Sequence, residues 1–133
     1  MKKVRKKILV IDDDLGMIRL LEKRLKANGY EVLGALKGTT GVKMAQEESP
    51  DLIILDVKIP DLSGGEVARQ LKNNPKTQNI PIIFITVTIS KKDDKVGKSF
   101  EIDGSLYPAF AKPLYNPKLL STIRKLLMKD PDT

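Results

Sequence analysis

Six residues that directly follow apolar runs could do chemistry together. Asp12, Asp13 and Asp14 follow residues 8–11, Asp56 follows 52–55, Thr86 follows 82–85, and Lys112 follows a short stretch at 109–111. Carboxylates about 4 Å apart repel by roughly 4 kcal/mol per pair at an effective dielectric of 20, so such a group needs a cation or retained protons. Hard oxygen ligands with open positions suit Mg2+. With Asp12, Asp13 and Asp56 ionised, one Mg2+ and the Lys112 ammonium cancel their charge. An arriving phosphoryl group then meets a metal and an ammonium able to take its oxygens. Singly, each residue has a plainer role: an aspartate after a strand caps a helix, and a lysine before proline sits in a turn. The placement at four strand ends in one short chain is what points to a site.

The elements must bring those four ends to one edge. Apolar runs at 8–11, 30–36, 52–55, 82–85 and 109–111 alternate with segments of helical period, which predicts five βα units around a parallel sheet, an α/β doubly wound (βα)5 domain. The run 52–55 has no polar interruption, as a strand covered on both faces requires. The first helix carries Met17, Ile18, Leu21 and Leu25 on one face and stops at Asn28-Gly29. The second starts at Gly38-Thr39, carries Val42, Met44 and Ala45, and stops at Ser49-Pro50. A third follows Ser63-Gly64-Gly65, carries Val67, Ala68 and Leu71, and breaks at Asn73-Asn74-Pro75. A fourth is expected over 90–99, with poor periodicity after it. The last has Asn116 as cap, Pro117 at the first position and Leu119, Leu120, Ile123, Leu126 and Leu127 inward. Ligands of such sheets bind beyond the carboxyl ends of the strands, where all six candidate residues fall. Gly38-Thr39-Thr40-Gly41 lacks phosphate-loop spacing and is only a helix start.

Composition narrows the chemistry further. A chain of 133 residues with 41% hydrophobic content forms one core, not two domains. It has no cysteine and no histidine, which excludes disulfides, thiolate nucleophiles, histidine bases and Cys/His metal sites. No apolar run approaches the roughly 20 residues needed to span a bilayer, so no membrane insertion is expected and the chain is expected in the cytoplasm. The net charge of +7 is concentrated in Lys2, Lys3, Arg5, Lys6 and Lys7. A second basic stretch from Lys112 to Lys129, with Lys118, Arg124 and Lys125 between, holds no acid, and an acidic partner surface is expected there. Direct nucleic-acid binding is not expected, because no aromatics interleave with these bases.

From Lys6 to Lys129 the chain resembles the receiver domain of two-component response regulators, of the chemotaxis-regulator type. The resemblance rests on Ile8-Leu9-Val10-Ile11-Asp12-Asp13-Asp14, on Asp51-Leu52-Ile53-Ile54-Leu55-Asp56-Val57-Lys58-Ile59-Pro60-Asp61 with Gly64 after it, on Pro81-Ile82-Ile83-Phe84-Ile85-Thr86, and on Lys112-Pro113. It implies a flavodoxin-like five-stranded parallel sheet of order 2-1-3-4-5, with a basic arm at 1–6, the receiver at 7–129 and a polar tail at 130–133. Asp56 is then the phosphoacceptor for a histidine kinase or phosphotransfer protein. Asp12, Asp13, Asp56 and the backbone carbonyl of Lys58 hold Mg2+, with Asp14 outside the set. Thr86 bonds and reports the phosphoryl group, Lys112 pairs with one of its oxygens, and the Lys112-Pro113 bond is typically cis in the family. Lys58 and Thr88 flank the approach of water. The output is a shift of the face made by the fourth helix, fifth strand and last helix, which controls an effector or output domain. The chain is therefore expected to be a stand-alone regulator or a piece of a longer one, and not an enzyme beyond its own phosphorylation and dephosphorylation.

Three positions depart from the family pattern. Ala109 stands where an aromatic residue normally precedes the lysine by three, with Tyr107 and Phe110 as substitutes and Phe110 better suited to the core. Val87 follows Thr86 in place of a smaller residue, and the span from Thr86 to Lys112 is long, which implies a remodelled fourth helix and loop. Two alternatives remain at this point. A phosphorylation-independent binding module on the same fold accommodates Ala109 and Val87. A phosphatase of the haloacid-dehalogenase type would use Asp12 and Asp14 with Thr86 and Lys112, but it leaves Asp56 to Pro60 without a role.

Overall fold

Unbroken apolar runs become strands shielded from water on both faces in a computed structural model, which describes residues 5–87, 99–112 and 117–128. The strands are β1 (Lys7–Ile11), β2 (Glu31–Ala35), β3 (Leu52–Asp56), β4 (Ile82–Thr86), β5 (Ser99–Ile102) and β6 (Ser105–Ala111). The helices are α1 (Leu15–Ala27), α2 (Gly38–Glu48), α3 (Gly64–Lys72) and α4 (Lys118–Met128). One sheet has the order β2-β1-β3-β4-β6-β5, parallel except for the antiparallel β5.

This corrects the expected five-stranded parallel sheet of order 2-1-3-4-5. The five parallel strands are present in that order, with β6 as the fifth, and β5 is added outside them. Because β5 is antiparallel to β6, it starts at the edge where β4 and β6 end, and it makes the return across the sheet that a helix was expected to make. Of the helix expected over 90–99, only Ser99 is described, and it begins β5. The remainder lies outside the described residues.

The hairpin follows from its turn. Asp103 and Gly104 both have positive φ, 50° and 87°, and Ile102 pairs with Ser105 across them. A two-residue turn with both central φ values positive matches the right-handed twist of its strands. Alternation then sends Phe100 and Ile102 of β5 and Tyr107 and Ala109 of β6 to one face, where Tyr107 meets Phe84 edge-on at 5.5 Å.

Two-residue periodicity divides the core between the sheet's faces. Leu9, Ile11, Ile53, Leu55 and Phe84 pack under α2 and α3, whereas Ile8, Val10, Ile54, Ile83 and Phe110 pack under α1 and α4. The inward stripes of α1 and α3 are the residues their spacing singles out. On α4, Leu119 and Ile123 are buried while Leu120, Leu126 and Leu127 are half-buried. Each fully buried Leu or Ile contributes about 1.5–3 kcal/mol. Pro117 lies in an exposed turn just before α4 rather than in it, and Asn116, its expected cap, is outside the described residues. Also outside them are Lys2, Lys3, Thr88, Pro113, Lys129 and the tail at 130–133. No helix among the described residues is long and apolar enough to cross a membrane.

Candidate functional site

Parallel pairing of β1 with β3 in the register Ile11 to Leu55 sets Asp12 and Asp56 side by side just past the paired residues. The ladder continues into the site: the Asp12 N–H donates to the Ala35 carbonyl at 3.0 Å, and the Val57 N–H donates to the Ile85 carbonyl at 3.1 Å. One carboxylate oxygen from each of Asp12, Asp13 and Asp56 lies within 4.8 Å of the others. Asp12 and Asp56 are 0% and 5% exposed, so the cluster opens to solvent on the side of the exposed Asp13. There a cavity of about 460 Å³ is lined by Asp13, Val57, Lys58, Ile59, Pro60 and Ser63.

Lys112 reaches the cluster from the end of β6. Its Nζ is 2.8 Å from Asp12 Oδ2 and 3.1 Å from Asp56 Oδ2. The second contact has hydrogen-bonding geometry, whereas Asp12 Oδ2 is buried against the ammonium with no well-directed donor among the described residues. The other Asp12 oxygen accepts from the Asp14 N–H at 2.9 Å. Burial pushes the Asp12 carboxyl above the usual range; the Lys112 ammonium and the Asp14 N–H oppose this, and the neighbouring Asp56 adds to it. Burial disfavours the Lys112 ammonium, but Asp12 and Asp56 outweigh it and hold its pKa above the ordinary value. Three convergent carboxylates, two of them buried, are a donor set that fits a hard divalent cation.

The other candidate residues divide. Thr86 is buried at the end of β4 opposite Ala111, and its carbonyl accepts from the Lys112 N–H at 3.0 Å. Lys58 donates its backbone N–H to Asp56 Oδ1 at 3.3 Å, with its side chain exposed. Asp14 stands apart from the carboxylate cluster and caps α1 by accepting from the Gly16 and Met17 N–H groups. Ala109 is buried on the Phe84 face with no aromatic in its place, Tyr107 and Phe110 are both core residues, and Val87 is 68% exposed.

Two residues after Asp56, Asp61 in the loop and Gly64 at the start of α3, have roles that spacing did not reveal. Gly64 starts α3 against the end of β3: its N–H donates to the Val57 carbonyl at 2.8 Å, and a Cβ there would collide with the Asp56 carbonyl oxygen. Asp61 caps a different helix. Its carboxylate accepts from the Thr39 N–H at 3.0 Å, the Gly38 N–H at 2.8 Å and the Thr39 hydroxyl at 2.8 Å, and these bonds hold it down to about 2. The available signal was negative: Lys37, which precedes the Gly38-Thr39 helix start, has no side-chain acceptor for capping.

Comparison with known proteins agrees with this geometry. The family described as response regulator receiver domain matches residues 8–124. The chain is 37% identical over 120 residues to the response regulator PleD of Caulobacter vibrioides, covering 90% of this chain and 26% of PleD, so it spans about a quarter of that relative. The chemotaxis protein CheY4 of Vibrio cholerae superposes with a TM-score of 0.76 at 27% identity, covering 92% of this chain and 99% of CheY4. The receiver domain of the sensor histidine kinase PA1611 from Pseudomonas aeruginosa, solved with a magnesium ion in its active site cleft, gives 0.79 at 21% identity over 95% of this chain and all of that one, a likeness of fold. Because the family match runs from β1 into α4 and so takes in every strand end described above, the chain belongs to the response regulator receiver domains of two-component systems.

Proposed function

We propose that Asp56 accepts a phosphoryl group from a histidine kinase or phosphotransfer protein in a Mg2+-dependent reaction. The observation that carries this reading is the Lys112 ammonium held between Asp12 and Asp56 at 2.8 and 3.1 Å, a fixed positive charge beside a carboxylate nucleophile. In the reaction a carboxylate oxygen of Asp56 attacks phosphorus in line, the bond from phosphorus to the donor nitrogen breaks, and the nitrogen keeps the electron pair. Asp12, Asp13, Asp56 and the Lys58 carbonyl would hold the Mg2+, which would supply positive charge where the phosphoryl oxygens gain negative charge. Lys112 pairs with one of these oxygens and the Thr86 hydroxyl bonds another, as fixed dipoles and charges do where negative charge develops. The acyl phosphate is later lost to water, with the Lys58 side chain at the open side of the site.

The receiver unit in this reading is 7–129, with a basic arm at 1–6 and a polar tail at 130–133, working in the cytoplasm. Its output is a population shift of the surface around β6 and α4. The partner there has an acidic face, because the described part of α4 carries Lys118, Arg124 and Lys125 and no acid. Reversing these three charges is expected to weaken capture of the effector at least 10-fold; unchanged affinity would refute an acidic face.

The test of the reaction is intact mass after incubation with a small-molecule phosphodonor, with and without Mg2+, for the native chain and Asp56→Asn. A single phosphoryl adduct that needs both Mg2+ and Asp56 is expected. No adduct, with Mg2+ still bound, would favour a phosphorylation-independent module, and an adduct on Asp12 would indicate phosphatase-like chemistry.

A further inference from the structure

We propose that Asp61 is a positioning residue of the metal site, clamping the loop that leaves Asp56 to the N-terminus of α2. The inference rests on the metal-binding reading above and assigns a role to a residue outside the ligand set.

The loop 57–63 is fixed at two places. At its neck, the Val57 N–H joins the ladder through the Ile85 carbonyl, the Lys58 N–H rests on Asp56 Oδ1, and the Gly64 N–H closes on the Val57 carbonyl. At its tip, the Asp61 carboxylate receives three hydrogen bonds of 2.8–3.0 Å from Gly38 and Thr39, more than twenty residues away in sequence. Lys58 leaves the neck towards the tip, and its carbonyl is the proposed backbone ligand. A ligand carbonyl on a seven-residue loop is only as well placed as the loop's two anchors.

The contact at the tip is built into the fold from both sides. The first turn of α2 has no acid, and its preceding residue Lys37 makes no side-chain cap, so its free N–H groups depend on Asp61. Gly38 is a glycine because a Cβ there would come within 2.9 Å of the Leu62 carbonyl oxygen and Leu62 Cβ. Ile59, buried between the two anchors, pins the middle of the loop to the core. The low pKa of about 2 keeps the Asp61 carboxylate charged throughout the working range, so the clamp does not open with ordinary changes of pH.

Residues that orient a ligand rather than bind the metal typically change affinity about 10-fold or more when removed. Mg2+ affinity by titration calorimetry, together with amide hydrogen exchange in 57–62, should be measured on the full chain for the native protein, Asp61→Ala, Asp61→Asn and Thr39→Val. The expected result is about 10-fold weaker Mg2+ binding and faster exchange in the loop for Asp61→Ala, with Asp61→Asn recovering affinity to within about 3-fold of native. Thr39→Val keeps both backbone bonds, so it stays folded if Asp61→Ala does not, and a loss of about 2-fold is expected from it. A fall in melting temperature with Mg2+ affinity unchanged in folded Asp61→Ala would make the role purely structural and overturn the proposal. If the native chain takes up no Mg2+, the metal reading fails, and hydrogen exchange then decides the clamp alone: equal loop rates in native and Asp61→Ala protein would overturn it.

Discussion

Lys112 is the residue on which the charge balance of the site depends. Asp12 is wholly buried and Asp56 nearly so, and the ammonium at 2.8 and 3.1 Å is the cation closest to both among the described residues. Removing one member of a buried ion pair leaves an uncompensated charge, which typically costs about 3 kcal/mol or more. Lys112→Met is therefore expected to lose about 3 kcal/mol in urea unfolding without metal and to recover more than the native protein does when Mg2+ is added, because a divalent cation bound only by the folded state replaces the missing charge. Equal losses with and without Mg2+ would show that the two cations do not share the same carboxylates. The pH dependence has a definite sign. Asp12 has a folded pKa above 3.8, so the folded chain binds a proton that the unfolded chain has released, and stability falls as pH rises through that interval. The penalty of Lys112→Met should accordingly shrink towards acid. The placement of these residues at one edge of the sheet was legible in the sequence because each follows an apolar run that forms a strand. Asp61 was not, since an exposed aspartate in a loop declares nothing about the distant helix it caps.

At the scale of elements, the legible parts were those with a strong period and the illegible part was the one whose period is interrupted. The faces of α1 and α3 and the runs of β1, β3 and β4 emerge as expected, whereas residues 99–111 carry a strand alternation interrupted by Pro108 and by the outward Leu106, which is 70% exposed. Their turn was nevertheless written plainly as Asp103-Gly104, a pair suited to two positive φ values. Gly104 at φ 87° has open space for a Cβ, so substitution there tests backbone conformation without a packing clash. Gly104→Ala should destabilise the protein by about 1 kcal/mol in chemical unfolding. It should leave Mg2+ affinity unchanged, because the turn lies at the end of the sheet opposite Asp56. No loss of stability would mean that the hairpin does not require the left-handed conformation. A matching loss of Mg2+ affinity would mean that the hairpin and the site are coupled.

Over the whole molecule, the fold protects its strands unequally. A helix is about 10 Å across and strands lie about 4.8 Å apart, so two helices cover roughly four strands on each face. The described residues supply two helices per face for six strands. The central strands take the cover: Ile8 to Ile11, Leu52 to Leu55 and Ile83 to Ile85 are all 0% exposed. The edge strand β5 receives less, with Ser99 and Glu101 exposed and Phe100 and Ile102 only half-buried. β6 is held by its ladder with β4, and the turn is tethered in addition by Arg69 of α3, whose Nε is 2.9 Å from Asp103 Oδ2. Both groups are well exposed, and such a pair contributes about 0.5 kcal/mol. Native-state hydrogen exchange should therefore find β1, β3 and β4 amides opening only with global unfolding and those of β5 opening at a lower free energy. Arg69→Ala should raise exchange in β5 about 2-fold while leaving the central strands unchanged, the 0.5 kcal/mol appearing only where the tether acts. A single opening free energy shared by all six strands would instead make the hairpin part of the cooperative core. Under the proposed phosphorylation, a change at Thr86 and Lys112 would then pass to the sheet as one body, rather than to an edge that can open separately.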